Sequence, residues 1–319
     1  MLFSALVVIM GGCKPHQEPS PSALRKVVFQ TDWFPQAEHG GFYQALAKGY
    51  YEEVGLDVEI VSGGPGAAIK LKVAKGNADF GMLRSDDTAL AVSRGLPLVL
   101  IAATMQHDAE ALLVHAHSPV KDFGDLDGRT IMAPLSMAWI PFIQKKYGIN
   151  FSLIPTTYGL ATFLGDKNFI QSCFLTSEPY YARQQGVAVR TLPLTAAGYD
   201  VYQGIVCRRN LIRTEPEVVR AFLAATIRGW RDYLTHDPAP ADAMILERNG
   251  NMSQGQLDYS RKALIDYALV AGYPAKGEDI GQLDLKRLQG EIDVLREFNI
   301  LEQPLRAEDF ATTDFLPVR

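Results

Sequence analysis

KVVFQTDWFPQAEHGGFYQALAKGYYEEVGLDVEIV, residues 26–61, reads as a strand, a loop, a helix and a second strand. KVVFQT (26–31) and LDVEIV (56–61) are short apolar runs rich in β-branched residues. FYQALAKGYYEEVG between them has helical character and ends on glycine, which suits a left-handed C-cap. The loop leaving the first strand, DWFPQAEHGGFY (32–43), carries Trp33, Phe34, Phe42 and Tyr43 together with Glu38 and His39. That content admits a catalytic loop, a metal site, or one wall of a pocket for a flat ligand.

The same alternation continues along the chain. Further strands are expected at ADFGML (78–83), LVLIAAT (98–104), ALLVHA (111–116), RTIMAP (129–134), FIQSCFL (169–175), VAVRTLPL (187–194) and YQGIVCRR (202–209). Helical patterns fall between them at AAIKLKVAKG, DDTALAVSRG, AWIPFIQKKYG and EPYYARQQG. Strands alternating with helices imply an α/β fold whose largely parallel sheet is covered on both faces. After residue 214 strand signals give way to long amphipathic helices, EPEVVRAFLAATIRGWRDYL, SQGQLDYSRKALIDYALV and DLKRLQGEIDVLREFNI. Two lobes follow, lobe 1 from residues 26–114 and 205–319 and lobe 2 from residues 115–204, with chain crossings near 113–117 and 201–206 and the C-terminal helices returning to lobe 1.

The chain has 319 residues, 47% hydrophobic and 21% charged, an ordinary composition for one large or two medium globular domains. A net charge of −5 with no basic run argues against nucleic acid and anionic lipid as the main partner. MLFSALVVIMGGC (1–13) is uncharged and apolar, too short for the roughly 20 residues of a spanning helix, and reads as the apolar core of a secretory signal. Its ending in small residues and Cys13 resembles a bacterial lipoprotein signal, cleaved before Cys13 and lipidated there. A basic n-region is missing, which a start upstream of Met1 accounts for, and Met10 stands where leucine is usual. KPHQEPSPSA (14–23) then acts as a flexible tether, so residues 1–25 are set apart as signal and tether. Cys173 and Cys207 fit two buried free thiols better than a disulfide.

Candidate chemistry divides unevenly. His39 beside Glu38 invites a metal or general-base reading, yet neither HExxH nor Cys–His spacing is present. His115 and His117 share one strand face without a third local ligand, so no metal site is expected. GGPGAA (63–68) lacks the spacing of a phosphate loop and reads as a tight turn that lets a ligand approach backbone amides. Ser85 in MLRSDDTA serves equally as a helix cap or as a ligand contact at the carboxyl end of a strand. In TSEP (176–179), Glu178 either meets the helix dipole or faces the cleft as an acceptor for an amino-bearing heterocycle.

DWFPQAEHGGFYQALAKGYYEEVGLDVEIVSGGP (32–65), GNADFGM (76–82), the helix ending in SRGLP (93–97) and TSEPY (176–180) together resemble the solute-binding proteins related to thiamine-pyrimidine synthase, which serve ABC importers. The resemblance implies a two-lobed type II periplasmic-binding-protein fold with its ligand cleft between the lobes and C-terminal helices. It also implies an extracytoplasmic, lipid-anchored monomer that partners an ABC permease, is not an enzyme, needs no cofactor, and binds a small flat nitrogen heterocycle such as a thiamine pyrimidine precursor. In that family the Trp-Phe-Pro loop lines the cleft, a role that falls on Trp33 with His39 and Tyr43 nearby. The family's Thr-Asn-Glu-Pro segment corresponds to Thr176–Pro179, with Glu178 as polar anchor and Ser177 where asparagine is common. Ser85 and Gln106 are candidates for hydrogen bonds to the ligand's edge, and Tyr158 for lining. Two alternatives remain open. One is the same fold binding riboflavin, or a sulfonate or nitrate, for which Arg84 is the clear cationic candidate. The other is a pyrimidine synthase, whose cysteine-rich iron-binding run, histidine and pyridoxal-phosphate lysine find only Cys173, with Leu83 and Asp87 about where the lysine and histidine would fall.

Overall fold

A computed structural model describes residues 24–317 of the chain. The signal and tether expected over residues 1–25, Cys13 included, therefore lie almost wholly outside the described residues. In chain order the strands are β1 (Arg25–Gln30), β2 (Leu56–Val61), β3 (Phe80–Arg84), β4 (Leu98–Met105), β5 (Glu110–His115), β6 (Thr130–Ala133), β7 (Ser152–Pro155), β8 (Ile170–Phe174), β9 (Val189–Pro193) and β10 (Gln203–Arg208). They form two five-stranded sheets of matching design, ordered β2-β1-β3-β10-β4 and β7-β6-β8-β5-β9. In the first, β1 runs parallel to β2 and β3, while β10 is antiparallel to β3 and β4. In the second, β6 runs parallel to β7 and β8, while β5 is antiparallel to β8 and β9. Each sheet is thus largely parallel and receives one reversed strand from the chain that built the other.

The sequence locates most of these strands because their apolar runs are uninterrupted or alternate cleanly. β4 is buried at every position: Val99 and Ile101 enter the core beneath the helix Pro216–Thr235, while Leu98 and Leu100 enter the core on the opposite face. SLIP in β7 leaves no strand signal in the sequence, since its residues are mostly exposed and it carries no burial pattern. The helix expected over FYQALAKGYYEEVG is two pieces, Gly40–Ala47 and Tyr50–Glu53, broken at Gly49, whose φ of 71° is left-handed. The crossings between sheets fall at residues 106–109 and 194–202, a few residues before the expected 113–117 and 201–206. The first shift has a plain cause: Glu110 opens β5 although charged, because its partners come from elsewhere in the fold.

Lobe 1 is closed by the helix Pro216–Thr235, which lies on Gly40–Ala47. Phe222 stacks on Phe80 at 4.1 Å with rings 5° from coplanar, and Phe29, Phe42 and Trp230 complete the aromatic core. The two helices approach so closely that a Cβ on Gly229 would sit 2.2 Å from the Gly41 carbonyl oxygen. Cys173 in β8 and Cys207 in β10 are buried free thiols, each raised in pKa by burial. Among the described residues no helix is long and apolar enough to cross a membrane.

Gly229→Ala should lower the unfolding free energy by about 1–3 kcal/mol through overpacking. Gly290→Ala in the helix Leu285–Glu297, where an added Cβ meets nothing within 4 Å, should instead raise it by roughly 0.5–1 kcal/mol. Urea unfolding of the two variants measures the contrast, and equal effects would contradict the close helix crossing.

Candidate functional site

The carboxyl ends of the parallel strands in the two sheets face one another across a cavity of about 910 Å³. Lobe 1 contributes Asp32, Trp33, Phe34 and Glu38 from the loop after β1, Arg84 at the end of β3, Met105 at the end of β4 and Gln203 at the start of β10. Lobe 2 contributes Tyr158 and Leu160 from the loop after β7, and Phe174, Ser177, Glu178 and Tyr181 around the end of β8. Asn249, Asn251 and Met252, in the loop between the helices Ala239–Arg248 and Gln254–Asp266, and Gln256 in the second of these close it.

Trp33 owes its place to backbone chemistry. Its carbonyl accepts from Thr31 Oγ1 at 3.0 Å and from the Gly63 amide at 3.0 Å, while the Gly64 amide donates to the Asp32 carbonyl at 3.2 Å. Gly63 packs so tightly on this loop that a Cβ there would lie 2.4 Å from the Thr31 carbonyl oxygen. The glycine-rich segment after β2 therefore acts as a cradle for the aromatic loop. Trp33 meets Tyr158 of the other lobe with ring centroids 5.0 Å apart and Phe34 at 5.4 Å. Tyr158 holds a φ of 57°, a strained conformation for a bulky residue, and its amide donates to Thr156 Oγ1 at 3.1 Å. Phe34, Tyr158, Phe174 and Tyr181 all keep exposed aromatic surface in the cavity.

The polar part of the lining is dominated by carboxylates. Asp32 is held between His39 Nε2 at 2.8 Å and Gln203 Nε2, which donates to it at 2.6 Å. Glu38 is buried and accepts a short hydrogen bond from Thr176 Oγ1, a contact that spans the lobes; burial raises its pKa against the pull of that bond. Glu178 accepts from the Phe174 amide at 2.7 Å, and desolvation pushes its pKa up to about 7. Arg84 is already saturated: Asp108 takes its two terminal nitrogens at 3.1 and 2.9 Å, with Glu110 at 3.2 Å and Asp86 at 3.3 Å. Burial disfavours its charge, but Asp108, Asp86 and Glu110 outweigh that and keep it protonated.

Of the residues named from sequence, Trp33, Tyr158 and Glu178 come together in the cavity. The other four sit outside its lining. His39 is buried behind the loop and braces Asp32. Tyr43 lies in the lobe 1 core, within 5.4 Å of the Arg248 guanidinium. Ser85 is buried, donating to Glu291 Oε2 at 2.8 Å and accepting from the Tyr202 amide at 3.0 Å. Gln106 spends its side-chain nitrogen on the carbonyls of Asp279 and Gln282, each at 2.8 Å. His115 is likewise occupied, with Nε2 2.7 Å from the Phe163 carbonyl. The residues that sequence reasoning missed, Asp32, Gln203 and Gln256 above all, are ordinary polar positions until the tertiary fold joins them.

A family described as "NMT1/THI5 like" matches residues 36–241 of this chain. The riboflavin-binding protein RibY of Chloroflexus aurantiacus is 24% identical over 95% of this chain and 90% of its own length. The formylaminopyrimidine-binding protein of Halalkalibacterium halodurans is 23% identical over 95% of this chain and 94% of its own. A 4-amino-5-hydroxymethyl-2-methylpyrimidine phosphate synthase of Saccharomyces cerevisiae, THI11, is 25% identical over 68% of this chain and 69% of its own. Among solved structures, the periplasmic aliphatic sulphonate-binding protein SsuA of Escherichia coli superposes with a TM-score of 0.64 at 15% identity, covering 94% of this chain and 95% of that one. The last likeness shows the periplasmic-binding-protein fold.

Beneath the cavity, Glu110 and Glu291 share a buried cluster with Asp86, Asp108 and the guanidinium of Arg84, with Arg287 also acting on Glu291. Trp139 Nε1 donates to Glu110 at 2.8 Å. Desolvation pushes both glutamates up to about 8, against an ordinary value of 4.5. Raised acids stabilise the fold fully below their unfolded pKa, and that contribution is lost as pH rises through the folded value. Between about pH 4.5 and pH 8 stability should therefore fall with rising pH, by up to about 1.4 kcal/mol per pH unit for each proton held. Denaturant unfolding at pH 5.5 and 8.5 measures the drop, and Glu291→Gln should make it smaller; a rise in stability over this window would refute the assignment.

Proposed function

Since the chain belongs to the NMT1/THI5-like family, we propose that it is an extracytoplasmic solute-binding protein of an ABC importer, holding a small flat nitrogen heterocycle between its lobes. The observation that carries this reading is the aromatic wall, Trp33 against Tyr158 from the opposite lobe, set over the acceptors Glu38 and Glu178. Aromatic faces reward a flat ring with about 0.5–1.5 kcal/mol beyond burial, and the carboxyl groups orient its amino or ring N–H groups. The names of the Halalkalibacterium and Chloroflexus relatives support a pyrimidine or a flavin as the ligand. A cavity of about 910 Å³ lies near the upper end of the roughly 300–1,000 Å³ of small-molecule sites, which favours the larger flavin as a second reading.

A sulfonate or nitrate fits poorly. Asp32, Glu38, Asp87, Asp108 and Glu178 line the cavity, and Arg84 is consumed by its carboxylate partners. A synthase role is also disfavoured, because Leu83 and Asp87 stand about where the lysine and histidine would fall and Cys173 is a buried thiol inside β8. Anchoring through a lipid at Cys13, a monomeric state, and delivery to a permease that reads lobe closure belong to the same reading.

Isothermal titration should show binding of 4-amino-5-hydroxymethyl-2-methylpyrimidine or riboflavin and none of methanesulfonate or nitrate. Trp33→Ala should weaken that binding about tenfold or more, the equivalent of about 1.4 kcal/mol. Preference for an anion, or unchanged affinity in the variant, would sink the proposal.

A further inference from the structure

Gln256 lies in the first turn of the helix Gln254–Asp266, which packs on lobe 1 through Leu257 and Leu264, yet its side chain reaches the turn after β8 in lobe 2. Its Nε2 donates to the Thr176 carbonyl at 2.8 Å and to Ser260 Oγ at 2.8 Å. The carboxamide can sit only this way round. A carbonyl oxygen accepts and never donates, and Ser260 spends its one hydroxyl proton on the same Thr176 carbonyl at 2.6 Å. Both atoms facing Gln256 there need a donor, so the amide nitrogen occupies that side and Oε1 is left over. Oε1 is buried without a hydrogen-bond partner among the described residues, and Gln256 lines the aromatic cavity. Buried acceptors are almost always paired. Oε1 presents almost no accessible surface of its own, so a ligand N–H reaches it from the cavity that Gln256 lines only with a small local shift of the neighbouring side chains. Thr176 ties Glu38 to the same turn through its hydroxyl, and Glu178 follows two residues later.

We infer that Gln256 is a ligand-binding residue whose Oε1 accepts a hydrogen bond from an N–H of the ligand, and that the ligand presents a donor-rich edge to Glu38, Glu178 and Gln256. The inference rests on the cavity being a heterocycle site. It adds a residue from the C-terminal helices to the ligand's surroundings, and it links occupancy to closure. One amide group holds the lobe 2 backbone by its nitrogen and the ligand by its oxygen, so a bound N–H strengthens the side chain that bridges the lobes.

The test pairs each probe with a form lacking the N–H: 4-amino-5-hydroxymethyl-2-methylpyrimidine with its 4-dimethylamino counterpart, and riboflavin with N3-methylriboflavin. Titrations use the full chain, Gln256→Ala and Ser260→Ala. Wild type should prefer the N–H form of the probe it binds. Gln256→Ala should weaken that form about 5- to 10-fold and shrink the preference, as expected for one lost hydrogen bond. Ser260→Ala removes support from the same Thr176 carbonyl without touching the acceptor, and should keep the preference. A preference undiminished in Gln256→Ala, or lost equally in Ser260→Ala, overturns the role of Gln256 while leaving the heterocycle site standing. Failure of wild type to bind any of the four probes overturns the heterocycle reading, and the role of Gln256 with it.

Discussion

The chain crosses between its two sheets twice, and every feature of the site descends from that constraint. Each sheet is completed by a strand from beyond a crossing, β10 in lobe 1 and β5 in lobe 2. This turns the carboxyl ends of both sets of parallel strands toward one gap, where loops are free to vary without disturbing the sheets. The crossings are themselves tied together. Asp200 of the second meets His107 Nδ1 of the first at 2.8 Å and accepts from the Asp108 amide at 2.9 Å, with Arg287 3.3 Å away. Asp108 then holds Arg84 at the cavity floor, so the joint between the lobes and the polarity of the site share one network.

That network gives the cavity its sign. A guanidinium at the end of a strand looks, taken alone, like an anion site. Here it is surrounded by more carboxylates than it can neutralise, and the excess is accommodated by burial that favours protonated acids. What remains facing the cavity is aromatic surface edged with acceptors, an environment that welcomes hydrogen-bond donors on a flat ring.

The strands and long helices were legible because burial leaves a periodic trace in composition, as in the two-faced run of β4 or the amphipathic stripe of Pro216–Thr235. Trp33 and Glu178 were legible for a related reason: each follows an expected strand, and loops at the carboxyl ends of strands point at the gap. Tyr158, in contrast, follows β7, which the sequence does not mark, and stood out only as an aromatic candidate for lining. The same rule placed Ser85 and Gln106 near the gap but could not foresee where they turn. Ser85 is claimed by Glu291 and Gln106 by the Asp279 and Gln282 carbonyls, partners more than 170 positions away in sequence. Gln256 left no signal at all, being a polar residue near the start of a polar-rich helix, and only the meeting of that helix with Thr176 singles it out. The glycines at 63 and 64 were visible as a turn, but their use as a cradle for Trp33 depends on a neighbouring strand that local sequence does not reveal.

The placement of the tryptophans has an optical consequence. The chain has three. Trp139 and Trp230 are sealed in the cores of the two lobes, whereas Trp33 is half-buried and leans across the gap on Tyr158. A change in solvent around the cleft, or in the separation of its walls, reaches the emission of one indole and leaves the other two as an internal reference. The aromatic contact that shapes the pocket thus makes Trp33 the tryptophan whose emission responds to the surroundings of the cleft.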